Sequence, residues 1–189
     1  MSTEPVPTSA AIGIDRYLRE LMRVNDLPTL GHVVAREARR RFGLQSCHLV
    51  WWARPREGQD VDAVRVSPAE GLDADTLAWL HRRFGSPGAQ RREPAPLVVE
   101  ELVRTGVIAR VALVWPVSQP RPDTPDFARW LDDSSAAAGR LVELDTLTQA
   151  ISRLERAERL QRALFAIADM ASSDLDMPDM LRSLHAIVA

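Results

Sequence analysis

The feature that most constrains this chain is a stretch toward its carboxyl end that nothing interrupts. Thr124-Pro125-Asp126 is a strong helix start, with a hydroxyl able to cap, a proline in the first turn and an acid at the positive end of the dipole. No residue then stops a helix until Ser172-Ser173; the internal Gly139 costs roughly 1 kcal/mol against alanine without ending the element. At ~1.5 Å per residue this rod is on the order of 65 Å long. A domain built from the preceding residues is only about 30 Å across, so much of the rod is expected to project beyond it. Leu144, Leu147, Ile151 and Leu154 follow a 3-4-3 spacing, and Leu164 and Ile167 resume the stripe after Glu158 and Gln161. Glu155 with Arg159, and Glu158 with Arg162, stand at i,i+4 in the favourable acid-first order. An apolar stripe with charged flanks predicts a two-stranded coiled coil, and so a homodimer through this helix. The alternative is an amphipathic helix laid back on its own domain.

Composition excludes several classes. The 189 residues carry 24 Lys+Arg against 26 Asp+Glu, a formal net charge of -2, which argues against a dedicated nucleic-acid binder. Every one of those basic residues is arginine. With the many alanines this reads as the codon preference of a GC-rich bacterial genome rather than as phosphate recognition. It also removes the Schiff-base lysine, the phosphate-loop lysine and the kinase strand lysine. The lone Cys47 excludes an intramolecular disulfide framework and a multi-cysteine zinc site. No apolar run approaches the ~20 residues of a membrane helix, and Met1 to Ala10 lacks a basic-then-apolar leader pattern. A cytoplasmic protein without a membrane partner is expected.

Upstream of the rod, the periodicity changes several times. Residues 1–13 read as a flexible lead-in. Ile14, Leu18, Leu21 and Met22 recur at helical spacing up to Val24, and Asn25-Asp26 breaks the pattern. A second helix is expected from Leu30 to Phe42, with Thr29 as cap, Leu30, Val33, Val34 and Ala38 facing inward, and Gly43 as the stop. Arg39-Arg40-Arg41 complements the negative end of that helix. Gln45 to Ala53 alternates Cys47, Leu49 and Trp51 with His48, Val50 and Trp52, a strand pattern. After a turn at Pro55 to Asp60, Val61 to Val66 is its hairpin partner. A short helix follows from Asp73 to Phe84, then a loop from Gly85 to Pro96 that carries Arg91-Arg92. Leu97 to Val103 fits either a strand or a short helix. Ile108 to Val117 is a strand, and its continuously apolar Val111-Ala112-Leu113-Val114-Trp115 predicts a sheet covered on both faces. Pro116 belongs at the end of such a strand or on an edge.

One junction recurs. Asp26-Leu27-Pro28-Thr29-Leu30 joins two helices, and Asp176-Met177-Pro178-Asp179-Met180 stands in the same setting between Leu164 and Val188. Residues 164–189 therefore read as the opening of a second copy of one module, cut off at Ala189.

Two helices meeting at a proline, an aromatic-rich strand, a hairpin, an intervening helix, a late apolar strand and a long exit helix together resemble a GAF domain. Arg159-Leu160-Gln161-Arg162-Ala163-Leu164-Phe165-Ala166-Ile167-Ala168-Asp169, followed by Ser172-Ser173-Asp174-Leu175-Asp176-Met177-Pro178, looks like the start of another. The resemblance implies an α+β fold, a GAF-like antiparallel sheet flanked by helices and followed by a long signalling helix. It divides the chain into a degenerate sensor domain at 14–123, a linker helix at 124–163 and the second module at 164–189. Such modules stand upstream of bacterial signalling outputs, so the resemblance implies a sensor and dimerisation module of a signal-transduction protein. The output would be a cyclic-di-GMP synthesis domain (a diguanylate cyclase), or alternatively a histidine kinase, with no catalysis in these residues. The chain departs from the family in offering three or four strands, and in reducing the usual late hairpin to the single strand Ile108 to Val117. The Asn-Lys-Phe-Asp-Glu pattern of cyclic-nucleotide-binding members is absent.

Candidate site residues follow from that frame. Trp51, Trp79 and Trp115, with Arg110 and His81, are in segments that would enclose a GAF-type cavity for a small planar or anionic ligand; core packing is the competing role of the tryptophans. No specific cofactor is implied. The histidines His32, His48, His81 and His185 lack metal-ligand spacing, with haem ligation by His81 the residual alternative. Cys47-His48 resembles the attachment dipeptide of bilin-binding GAF domains, but it lies on the first strand rather than a later helix. Adjacent strand residues also point to opposite faces, so the thiol and imidazole cannot meet, and Cys47 is expected to be structural. The interface residues are Leu144, Leu147, Ile151, Leu154, Leu164 and Ile167. A ligand-free dimerisation scaffold, its core filled by its own tryptophans, is the second reading.

Overall fold

A computed structural model describes residues 9–53, 63–84, 96–105 and 109–172. The chain divides into two units, Met1–Val142 and Glu143–Ala189. The expected turn at Pro55 to Asp60, the Arg91-Arg92 loop, the second proline junction and His185 lie outside the described residues.

Helix α1 (Ser9–Arg23) begins before the expected Ile14. Helix α2 (Leu27–Phe42) begins before the expected Leu30, and Asp26 rather than Thr29 is its cap. The Asp26 backbone is extended and its Oδ1 accepts the Thr29 N–H at 2.7 Å. Pro28 then falls in the first turn, where a missing N–H leaves nothing unpaired. Gly43 ends α2 at φ 69°, a left-handed conformation that favours glycine. The carboxyl end of α1 is closed differently: Arg140 donates to the Leu21, Met22 and Val24 carbonyls at 2.9, 3.3 and 2.8 Å.

Strands β1 (His48–Ala53), β2 (Ala63–Ser67), β3 (Leu97–Thr105) and β4 (Ala109–Pro116) form one antiparallel four-stranded sheet in the order β2-β1-β4-β3. The segment from Leu97 is thus a strand, and with β4 it makes an antiparallel hairpin where the sequence alone indicates one strand, Ile108 to Val117. A bulge between Glu101 and Val103 explains the ambiguity. It breaks the two-residue alternation, so that Leu102 and Val103 both join the same hydrophobic cluster. The Leu102 carbonyl accepts from Ser135 Oγ at 2.5 Å. Pro116 ends β4, where its missing donor is harmless.

Both faces of the sheet are covered, as the apolar run of β4 predicts. Leu49, Trp51, Val111, Leu113 and Trp115 pack with α1, α2 and segment 125–142 of helix α4 (Pro125–Ser172). Val50, Trp52, Val64, Ala112 and Val114 pack with Trp79, Leu80 and Phe84 of helix α3 (Ala74–Phe84). Asp73 caps α3, its Oδ1 accepting the Thr76 N–H at 2.6 Å. Thr124 caps α4, its Oγ1 accepting the Phe127 N–H at 3.2 Å. The first face centres on aromatic rings: Phe42 meets Phe127 and Trp130 edge-on at 5.1 and 5.4 Å, and Phe127 meets Trp115 at 6.0 Å. The fold is therefore α+β.

In the second unit, α4 continues to Ser172. Leu144, Leu147, Ile151, Leu154 and Leu164 leave half or more of their surface exposed, whereas Leu141 and Val142 are buried.

Gly31 and Gly139 separate close approach from open helix surface. A Cβ on Gly31 would stand 2.5 Å from the Ser67 backbone oxygen, while one on Gly139 meets nothing within 4 Å. In urea titrations, Gly31→Ala is expected to destabilise the protein by about 1–3 kcal/mol through overpacking, and Gly139→Ala to stabilise it by roughly 0.5–1 kcal/mol.

Candidate functional site

The sheet separates the five residues that the sequence suggested would line one pocket. Trp51 and Trp115 are buried on the face covered by α1, α2 and α4, with Trp115 Nε1 donating to the Gln119 carbonyl at 3.1 Å. Trp79 is buried on the opposite face, and His81 is an exposed residue of α3. The expected common cavity is corrected accordingly: Trp51 and Trp115 are core residues of one face, and Trp79 belongs to the other. The sequence gives the alternation within β1 but not the face on which α3 lands.

Arg110 is brought to the α3 face. It opposes Trp52 directly across the β1–β4 pair, its guanidinium carbon lies 5.5 Å from the Phe84 ring centroid, and it forms an ion pair with Glu101 on β3. Trp52 Nε1 and Arg110 Nε are buried N–H donors with no hydrogen-bond partner among the described residues. An unpaired buried donor costs about 1–3 kcal/mol, and these two belong to residues that face each other across β1 and β4. Trp52, Glu101 and Phe84 are the members of this cluster that sequence reasoning missed. Their proximity depends on the register of strands distant in sequence and on the face where α3 lands, and its only sequence signal is the pairing of two apolar strands.

The thiol and imidazole of Cys47-His48 are both buried. Burial pushes the Cys47 thiol up to about 12, so it is a poor nucleophile. His48 Nδ1 stands 2.7 Å from the Pro68 carbonyl; a carbonyl only accepts, so Nδ1 carries the proton. Nε2 is buried without a partner among the described residues. Burial holds the His48 pKa below the ordinary histidine value, opposed by the Pro68 bond and the charge of Glu70. Among the described residues no group of three or more His, Cys, Asp or Glu is placed to hold a metal ion, and no helix is long and apolar enough to cross a membrane.

A buried carboxylate locks the end of α2. Glu37 accepts from Arg40 Nη2 at 2.7 Å and Nε at 3.1 Å, and Arg41 reaches Asp126 at the start of α4 at 3.6 Å. Arg39-Arg40-Arg41 thus serves the structure at this helix end.

On α4, the six residues expected at the interface are Leu144, Leu147, Ile151, Leu154 and Leu164, all exposed, and Ile167, half-buried. Phe165 is exposed beside them and was not among those expected.

No protein-family model matches the chain, and no curated protein matches it.

His48 gives a pH dependence with a defined sign. The unfolded chain binds the proton at a higher pH than the folded one, so the stability contribution is complete above about 6.5 and is lost as the pH falls below that value. Urea midpoints between pH 7.5 and 5.5 are expected to drop on acidification, and His48→Gln to flatten that drop.

Proposed function

We propose that the chain is the sensor and dimerisation region of a bacterial signal-transduction protein, with a GAF-like domain whose ligand state is passed through α4 to an output beyond it. One observation carries this reading. The large apolar residues of α4 from Phe127 to Val142 are buried in the core that covers the sheet, and at continuing helical spacing Leu144, Leu147, Ile151, Leu154 and Leu164 are exposed. One helix thus belongs both to the sensor core and to a surface suited to a partner helix. A shift in the packing of Phe127, Trp130 and Leu131 would change the rotation or register of the downstream stripe. The occupant of that stripe is a second copy of the chain.

The ligand site of this reading is the α3 face around Trp52 and Arg110. A cation over a phenylalanine ring, with buried unpaired N–H groups on Arg110 and on Trp52 at the facing strand position, favours a small planar or anionic compound with an acceptor oxygen. A cyclic-di-GMP synthesis domain is the proposed output, and a histidine kinase the alternative.

The scaffold reading draws on the burial of Trp51, Trp79 and Trp115 as core residues, which leaves the tryptophans without an exposed role. Melting-temperature and tryptophan-fluorescence screens of small carboxylates, phosphates and nucleotides separate the two readings. The sensor reading expects a compound that stabilises by mass action, about 2.7 kcal/mol at a hundredfold excess over its Kd. It also expects that stabilisation to disappear in Arg110→Met and to weaken in Trp52→Phe. A hit that survives both substitutions contradicts the assigned site, and the absence of any hit favours the scaffold.

A further inference from the structure

Taking the homodimer reading as its premise, we infer that the second copy pairs antiparallel with residues 147–172 of α4, about a two-fold axis between residues 159 and 160. The heptad frame that begins at Leu144 and Leu147 can be carried forward without a break. Its a positions are Leu144, Ile151, Glu158 and Phe165, and its d positions are Leu147, Leu154, Gln161 and Ala168. Glu155 and Arg162 are flanking e positions, and Ala157 and Leu164 are flanking g positions.

A parallel pair sets every core residue against itself. Glu158 then faces the partner's Glu158 inside the seam, two phenylalanines crowd one layer, and two alanines leave another thin. Across the flanks Glu155 faces an alanine, Arg162 faces an alanine, and Leu164 faces the partner's Asp169. The antiparallel pair resolves each of these. Glu158 meets the partner's Gln161, whose amide can donate to the carboxylate; Leu154 meets the partner's Phe165, and Ile151 the partner's Ala168. Glu155 meets the partner's Arg162 on one flank, and Leu164 covers the partner's Ala157 on the other.

Charge also selects the register. Sliding the antiparallel pair by one heptad in one direction places Glu155 on Glu155, and in the other direction Arg162 on Arg162. Like charges directly opposed across a seam select against both alternatives. Within its own helix Arg162 already pairs with Glu158, so in the dimer its guanidinium would be shared between that residue and Glu155 of the partner subunit. This frame replaces Ile167, which faces away from the seam, by Phe165 and Ala168.

Spin labels on Gln149→Cys and Arg156→Cys, both on the outer face of the frame, test the orientation in the full chain; the buried Cys47 stays unlabelled under native conditions. In the antiparallel dimer the two labels at 149 are offset along the axis by ~32 Å and those at 156 by ~11 Å. The distance measured by pulsed dipolar spectroscopy should therefore be clearly longer at 149 than at 156. Equal distances at both sites would overturn the orientation while leaving the dimer standing. No dipolar signal at either site, together with a monomer mass, would overturn the homodimer itself. As a second readout, Glu155→Arg should weaken dimerisation several-fold and Glu155→Arg with Arg162→Glu should restore it. An unaffected dimer in the single variant would contradict the antiparallel seam.

Discussion

The contact of Phe127 and Trp130 with Phe42 and Trp115 is where the halves of the first unit depend on one another. These rings join the end of α2 to the end of β4 and the start of α4, which the chain delivers from a stretch distant in sequence. Phe127, Trp130 and Trp115 are fully buried, and aromatic side chains of this size supply a large share of the apolar area a small core can remove from water. Two hydrogen bonds beside them also fix α4: Tyr17 shares a 2.7 Å hydrogen bond with Ser134, whose hydroxyl donates to the Trp130 carbonyl. Arg140 closes the end of α1 from the same helix. Whatever moves the first turns of α4 must therefore move several buried contacts together, which is the property a two-state switch requires.

Much of this architecture is legible in the sequence because local signals agree with the global fold. The Thr124-Pro125 start, the Gly43 stop, the Trp51/Trp52 alternation and the doubly apolar β4 each have one cheap structural solution, and the fold adopts it. Where the reading failed, a longer-range constraint decided. Pro28 in the first turn of α2 moves the cap upstream to Asp26, so the more obvious Thr29 supplies a backbone N–H rather than the capping oxygen. In β3, the pair Glu100-Glu101 and the following bulge erase the period-two pattern, leaving a strand that only its partner β4 identifies.

The candidate site was less legible for a related reason. Alternation along β1 separates Trp51 from Trp52, but nothing local says that α3 covers Trp52 while α4 covers Trp51. Arg110 is a candidate from the sequence for its position near the sheet, and its significance changes once Trp52 stands opposite it. The pair of unpartnered N–H groups is a property of strand register rather than of any motif. The stripe on α4 is the reverse case, because its periodicity can be read directly from the residues. The choice of orientation needs only the further step of asking which residue each layer would meet.

Sedimentation equilibrium of the full chain between about 1 and 100 µM is the most direct test of the account. A species of twice the 21.0 kDa chain mass, formed reversibly in that range and lost when Leu147 and Leu154 are changed to aspartate, is the predicted result. A 21.0 kDa monomer at the highest concentration, unchanged by those substitutions, would contradict it.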